Sequence, residues 1–421
     1  MTARRILITG LSSQLGGRLA QALERQAEVE TIIGVDSEDP RHEFARTEFV
    51  RVAVERRPLR RIIRAAQIDT VLDTRLLADA LSAPIATIEA VNVDATAELL
   101  AACTGPESPV RTVIFKSSAA YYGCEPGDAA FLSEDMARSH APRSELERSI
   151  VAAEDAVADF AARHPHCRVA VVRVAQEIGG EGPSSLLALL SLPVVPGVLG
   201  FDPRLQVIHA EDMVGVLTHA VSAELDGVYN AAGDGVLVLS EAASLLGKTL
   251  LPVLPPWGTG FAAAQLRRLG LRVPVELVRQ LRYGRGLDNR RLKATGYRYR
   301  YTSREALIRL RAQQRLRPLL GSGAESYRYD PDLEEFLRWS PSVLGVRERG
   351  DAGEGDAQGA GPPGNRRGAG GGFDALGVGE LIDLIPSLEP EALRALHRYE
   401  TEHQQRAAVL DALERSLARK A

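Results

Sequence analysis

The chain has 421 residues, 45% hydrophobic and 25% charged, with a formal net charge of -4. It is long and apolar enough to bury a large core, and it has no global charge that would draw it to nucleic acid or a membrane surface. Cys103, Cys124 and Cys167 are too widely spaced for a disulfide framework or a zinc site, and no stretch supplies the roughly twenty unbroken apolar residues of a membrane helix. The first residues run directly into an apolar strand with no leader-like segment, so a soluble, cytoplasmic protein is expected.

Ile6 to Gly17 reads as an apolar strand, a glycine turn and the start of an amphipathic helix carrying Leu15, Leu19 and Leu23. Gly10 permits the turn, Gly16 permits close packing of strand and helix, and the amides at the helix N-terminus face a pyrophosphate. Ser13 stands where the usual fingerprint has its middle glycine. A second strand, Thr31 to Asp36, ends on a carboxylate about twenty residues past the turn, the spacing of a ribose acceptor. Further strands are predicted at 49–54, 69–73, 112–118 and 168–174, with helices at 59–66, 88–103 and 145–163. That alternation predicts a Rossmann-type, doubly wound parallel α/β sheet over residues 1–175, covered on both faces.

Past 175 the texture changes to proline-punctuated loops at Pro193, Pro196 and Pro203, a strand at 205–209, a helix at 212–222 and a strand ending at 229–233. Residues 176–348 are therefore expected to form a smaller substrate lobe interleaved with the sheet domain. The stretch 265–320 is rich in arginine, read first as a solvated helical face and second as an anion or partner surface. Within it, the Tyr and Arg residues alternating over 297–301 predict a strand with arginines packed over aromatic faces. Residues 349–372, almost without large apolar side chains, predict a flexible linker. Residues 373–421 recover helical periodicity, with Leu393, Leu396, Leu410, Leu413 and Leu417 on one stripe, and predict a tethered helical tail with a partner of unknown identity.

Thr9 to Gly16, Asp36, Val91 to Thr96, Lys116 to Gly123, Val207 to Met213, and Asp288 with Asn289 ahead of Leu292 to Tyr297 together resemble, in order and spacing, the extended short-chain dehydrogenase/reductase family. These are the NAD-dependent sugar-nucleotide epimerases and dehydratases. The resemblance implies NAD(H) on the sheet, with NADP left open because Arg41 lies close to Asp36, and a nucleotide sugar under the C-terminal lobe. Carried over, Gly10, Ser12, Ser13 and Gly16 belong to the pyrophosphate turn, Asp36 to the adenosine ribose, and Asn92 braces the sheet end. Ser118 matches the serine that hydrogen-bonds the reacting oxygen; read without the family, it is a strand-end serine capping a turn. His209 and Asp212 match a pair that secures the lobe. A homodimer through the helices at 88–103 and 145–163 is likewise implied.

The departures concern the chemistry. The family's proton-transferring Tyr and the Lys four residues later fall, counting back from Glu154, on Leu146 and Ile150, and residues 137–160 contain neither residue type. Ala53 replaces an acid that reads adenine, and Asp73, Thr74 and Arg75 replace small residues after the fourth strand, with Arg75 either pairing with a phosphate or filling the site. Tyr122 is the first substitute acid, with Tyr121, Glu145 and Glu147 behind it. Three functions remain open: a binder of NAD(H) and a nucleotide sugar with chemistry altered or absent, a working epimerase using a substitute acid, or a scaffold acting through its tail. No metal is expected; the ligand-type residues from His164 to Cys167 lack a distant partner pair.

Overall fold

The computed structural model describes residues 4–315 apart from 54, 106, 181 and 255–273, together with His397, Thr401, Leu410, Leu413 and Ser416. Strands β1 (Arg4–Thr9), β2 (Val29–Asp36), β3 (Thr47–Arg51), β4 (Thr70–Asp73), β5 (Thr112–Ser118) and β6 (Arg168–Val174) build most of the sheet. After them come β7 (Gln176–Ile178), β8 (Val194–Val198), β9 (Arg204–Leu205), β10 (Val207–His209), β11 (Gly227–Ala231), β12 (Leu237–Val238) and β13 (Thr249–Leu254). Seven strands form one sheet in the order β11-β6-β5-β4-β1-β2-β3, and every pairing in it is parallel.

Both faces are covered, which is why β1 reads as a continuous apolar run. Ile6 and Ile8 pack to one side, against helices α1 (Gln14–Glu24) and α7 (Ala210–Ser222). Leu7 packs to the other, with α2 (Arg56–Ala65), α4 (Ala95–Ala102) and α5 (Glu145–Arg163). Successive strand residues point to opposite faces, so each face keeps its own core. The helix predicted at 88–103 begins earlier, as α3 (Ile85–Glu89), and reaches α4 through a π-helical turn, Ala90–Asp94. The helix predicted at 145–163 is α5, opened by Ser144, whose Oγ accepts from Glu147 N at 3.1 Å.

The lobe has its own apolar core. It joins α6 (Ser185–Ser191), α8 (Leu239–Leu245), α9 (Val275–Tyr283) and α11 (Ser303–Arg315) through residues such as Leu190, Leu239, Leu277 and Leu307. A shorter helix, α10 (Arg290–Ala294), packs beside β11. Residues from this half also return to the sheet: β11 is its edge strand, and α7 supplies Val216, Leu217, Ala220 and Val221 to the core under β1.

Residues 297–301 do not form the predicted strand. Their backbone amides turn to a carboxylate instead: Asp212 accepts from Arg300 N at 2.8 Å and Tyr301 N at 3.0 Å, while Tyr297 Oη donates to the Asp212 carbonyl at 2.9 Å. Nearby basic residues pair with acids, Arg290 with Asp288, Arg291 with Asp135 and Arg304 with Glu241. The linker predicted at 349–372 lies outside the described residues, as does most of the tail. The chain divides into two units, Met1–Asp330 and Pro331–Ala421; in the second, the five described positions are helical and Leu413 is buried.

Candidate functional site

Strand order reverses at β1, with β2 on one side and β4 on the other, and the carboxyl ends of these strands open a crevice at that switch point. Gly10 leaves β1 with φ +86°, a conformation that favours glycine. A Cβ on Gly16 would stand 2.1 Å from the Gly10 carbonyl oxygen, so no side chain fits where α1 crosses the turn. Ser13 folds back on the turn. Its Oγ donates to the Gly10 carbonyl at 2.7 Å and accepts from Gly16 N at 3.0 Å, which caps α1. Among the described residues, the Leu15 amide in the first turn of α1 has no acceptor. Asp36 ends β2; its Oδ2 accepts from Ser12 N at 3.0 Å and Ser12 Oγ at 2.5 Å and its Oδ1 from Ser37 N at 2.7 Å, which leaves a lone pair on Oδ1 for a further donor.

A cavity of about 400 Å³ runs from this turn along the strand ends, with Gly10, Ser13 and Asp36 at one end and Lys116, Ser118 and Glu177 at the other. Arg75 lines it from the loop after β4. The Arg75 guanidinium is bound to the buried Asp73 carboxylate, Nε to Oδ1 at 2.8 Å and Nη2 to Oδ2 at 2.6 Å. Its Cγ would lie 2.9 Å from a Cβ on Gly10. The Arg75 side chain thus lies over the turn with its guanidinium paired to Asp73. The loop is held by Asn92, fully buried in the π turn. Its Oδ1 accepts from Leu77 N at 2.8 Å, and its Nδ2 donates to the Leu77 carbonyl at 2.9 Å and to Ser149 Oγ on α5 at 3.0 Å.

Ser118 closes β5, accepts from Ala120 N at 3.1 Å, and lines both the large cavity and a smaller one of about 60 Å³. Leu146 also lines the smaller cavity, while Ile150 is sealed in the core under α5. Four residues on, Glu154 binds Arg173 by Oε1 and Oε2 and accepts from Ser117 Oγ. The Arg173 guanidinium lies over the Tyr121 ring at 3.7 Å and the Tyr122 ring at 4.6 Å. Tyr122 is buried and lines neither cavity; its hydroxyl bonds Asn230 Oδ1 at 2.9 Å and the Ser133 carbonyl at 3.2 Å, and burial pushes its phenol up. Glu147 does reach the smaller cavity, with Arg138 at 2.5 Å and Arg279 at 3.1 Å already on its carboxylate. The Glu145 side chain is exposed. His209 caps α7, accepting from Glu211 N at 3.3 Å.

Two wall residues were not among the candidates. Lys116 lies two positions before Ser118 on β5, on the same face of the strand, and its Nζ donates to the Leu76 carbonyl at 2.8 Å. Glu177, on β7, lines the same cavity, feels the charges of Lys116 and Arg18, and among the described residues no donor meets its carboxylate. Burial holds the Lys116 amine below the usual lysine range, against the pull of Glu177 and Asp73. Burial likewise raises the Glu177 carboxyl, against Lys116 and Arg18. In the sequence Lys116 opens the stretch Lys116 to Gly123, which carries the family resemblance, but no role was assigned to it.

Among the described residues there is no group of three or more metal-ligating side chains, and no helix is long and apolar enough to cross a membrane. Among solved structures the chain is similar to MoeE5 in complex with UDP-glucuronic acid and NAD, at 22% identity and a TM-score of 0.56 over 74% of this chain and 99% of that one. It is similar also to a UDP-glucose-4-epimerase of Stenotrophomonas maltophila with bound NAD and formylated UDP-arabinopyranose, at 17% identity and a TM-score of 0.57 over 74% and 98%. These likenesses speak for the fold. Uncharacterized proteins of Mycobacterium tuberculosis and Mycobacterium bovis are each 31% identical to it over 352 residues, 82% of this chain and 90% of theirs. The model of the NAD dependent epimerase/dehydratase family matches residues 6–232, more than half of the chain, and with those relatives it shows that the chain belongs to this family.

Proposed function

We propose that the chain binds NAD(H) in the crevice and a nucleotide sugar under the lobe, with the usual tyrosine and lysine proton transfer absent or altered. The residues present fit the cofactor. A turn that excludes a Cβ at Gly16, a Leu15 amide with no acceptor among the described residues and a free lone pair on Asp36 Oδ1 form a cradle for a pyrophosphate and a ribose. The cavity of about 400 Å³ lies within the range of cofactor sites. NAD(H), when bound, supplies hydride chemistry. The chain's own part is to orient: Asp36 Oδ1 takes a ribose hydroxyl, α1 offers its N-terminal amides, and Ser118 stands at the wall shared by the two cavities.

One observation supports the loss of ordinary chemistry: Leu146, at the position the family likeness gives to a phenol, lines the smaller cavity that Ser118 also lines. A leucine side chain transfers no proton. The substitutes are otherwise engaged, Glu147 between two arginines and Tyr122 against Asn230, so a binder is favoured over an enzyme with a replacement acid. Isothermal calorimetry on the full chain tests the reading. Micromolar or tighter binding of NAD(H) is expected, with turnover of UDP-sugars lowered by about 10²- to 10⁴-fold for want of general acid–base catalysis. Failure to bind NAD(H) or NADP(H) sinks the reading. Brisk epimerisation abolished in Ser118→Ala moves the chain to the active class. The same reading keeps the protein in the cytoplasm and pairs two copies through the helices of residues 88–103 and 145–163; sedimentation tests the pairing.

A further inference from the structure

We propose that Lys116 and Glu177 form a clamp for the hydroxyls of a sugar, and that its occupant is the second ribose of the dinucleotide, the one distant from Asp36. This rests on the NAD(H) reading of the crevice. The cavity is continuous from Asp36 to Lys116 and Glu177, so a dinucleotide with one ribose at the first end brings its other ribose to the second. An ammonium has three donors, and Lys116 uses one of them on the Leu76 carbonyl. The Glu177 carboxylate, an acceptor at every lone pair, meets no donor among the described residues.

A group that both accepts and donates satisfies the two walls together, and a hydroxyl is such a group. An anion here would face Glu177, a cation would face Lys116, and an apolar group would leave both unsatisfied. A vicinal diol does better still, with one hydroxyl for each wall. Residue choice agrees: four lysines, Lys116, Lys248, Lys293 and Lys420, stand among 51 basic side chains, and one of the four is on this wall. The chain meets nearly every other need for a cation with arginine, whose wide planar fork reads carboxylates and phosphates, whereas a compact ammonium suits a single oxygen.

The test compares NAD, ADP-ribose and AMP by calorimetry on the full chain, because AMP lacks the second ribose. Lys116→Met and Glu177→Gln are each expected to weaken NAD and ADP-ribose by about 10- to 100-fold while leaving AMP unchanged. A second measurement needs no variant. Reductive methylation of the wild-type lysines, read by peptide mass spectrometry, is expected to slow at Lys116 with ADP-ribose and not with AMP. If the wild type binds all three and both variants bind ADP-ribose as it does, the clamp is overturned and the NAD(H) reading stands. If ADP-ribose binds and leaves Lys116 methylation unchanged, the clamp is overturned too. If none of the three binds, the NAD(H) reading falls and takes the clamp with it.

Discussion

Arg75 lies over Gly10 because Asp73 holds its guanidinium at two points, and that pairing decides what a substitution does. Asp73 is 2% exposed, so Arg75→Ala strands a buried carboxylate and is expected to cost about 3–5 kcal/mol of stability by denaturant melt. Replacing both residues with alanine removes the orphan. The double variant is expected to recover most of the loss and to bind NAD(H) more tightly, since the Arg75 side chain no longer crowds the turn. A double variant as unstable as Arg75→Ala alone would show the arginine contributing through packing instead. Gly16→Ala tests the opposite wall. Its new Cβ would meet the Gly10 carbonyl oxygen at 2.1 Å, so the turn must move, with an expected loss of about 1–3 kcal/mol and of measurable NAD(H) binding.

At the scale of single elements, α7 carries a pH dependence. His209 caps it by accepting from Glu211 N, and His219 bonds Thr295 Oγ1 at 2.8 Å. Burial holds both imidazoles below their ordinary value of 6.5. The unfolded chain therefore takes up protons that the folded chain refuses. Stability is full above about pH 6.5 and falls as the pH drops through that value towards the lower folded pKa. His209→Asn keeps a capping acceptor without a titrating ring, so its Tm is expected to fall less than the wild type's between about pH 7.5 and 5.5. Equal slopes would place the acid sensitivity elsewhere.

Elements differ in how plainly their residues announce them. In α5 the buried positions Leu146, Ile150, Ala153, Val157 and Phe160 recur at helical spacing, and the helix spans the predicted residues. Residues 297–301 carry an alternation that mimics a strand, yet their amides go to Asp212, far away in sequence. No local pattern encodes that partner. The π turn is equally silent, since nothing in the composition of Ala90–Asp94 marks an extra residue per turn. The glycine turn and Asp36 were legible from spacing, because backbone geometry dictates residue type there. Lys116 and Glu177 were not: one lies inside β5, the other follows β6, and only the folded sheet brings both to the wall of one cavity.

For the whole molecule, the sheet, the crevice and the lobe core all belong to the first unit, Met1–Asp330. A chain ending at 330 is therefore expected to melt cooperatively and to bind NAD(H) within about twofold of the full chain, by scanning fluorimetry and calorimetry. A large loss of affinity would assign residues 331–421 a part in the site. The position of β11 has a consequence for synthesis. It is the outermost strand, pairing Gly227–Ala231 onto β6, with the first part of the lobe made between them. While the chain emerges from the ribosome, β6 must wait with its outer edge unpaired and α7 not yet available to cover the core under β1. Translation arrested in that interval would release a polypeptide with an apolar, open-edged sheet, the kind of species that chaperones retain and that aggregates when they do not.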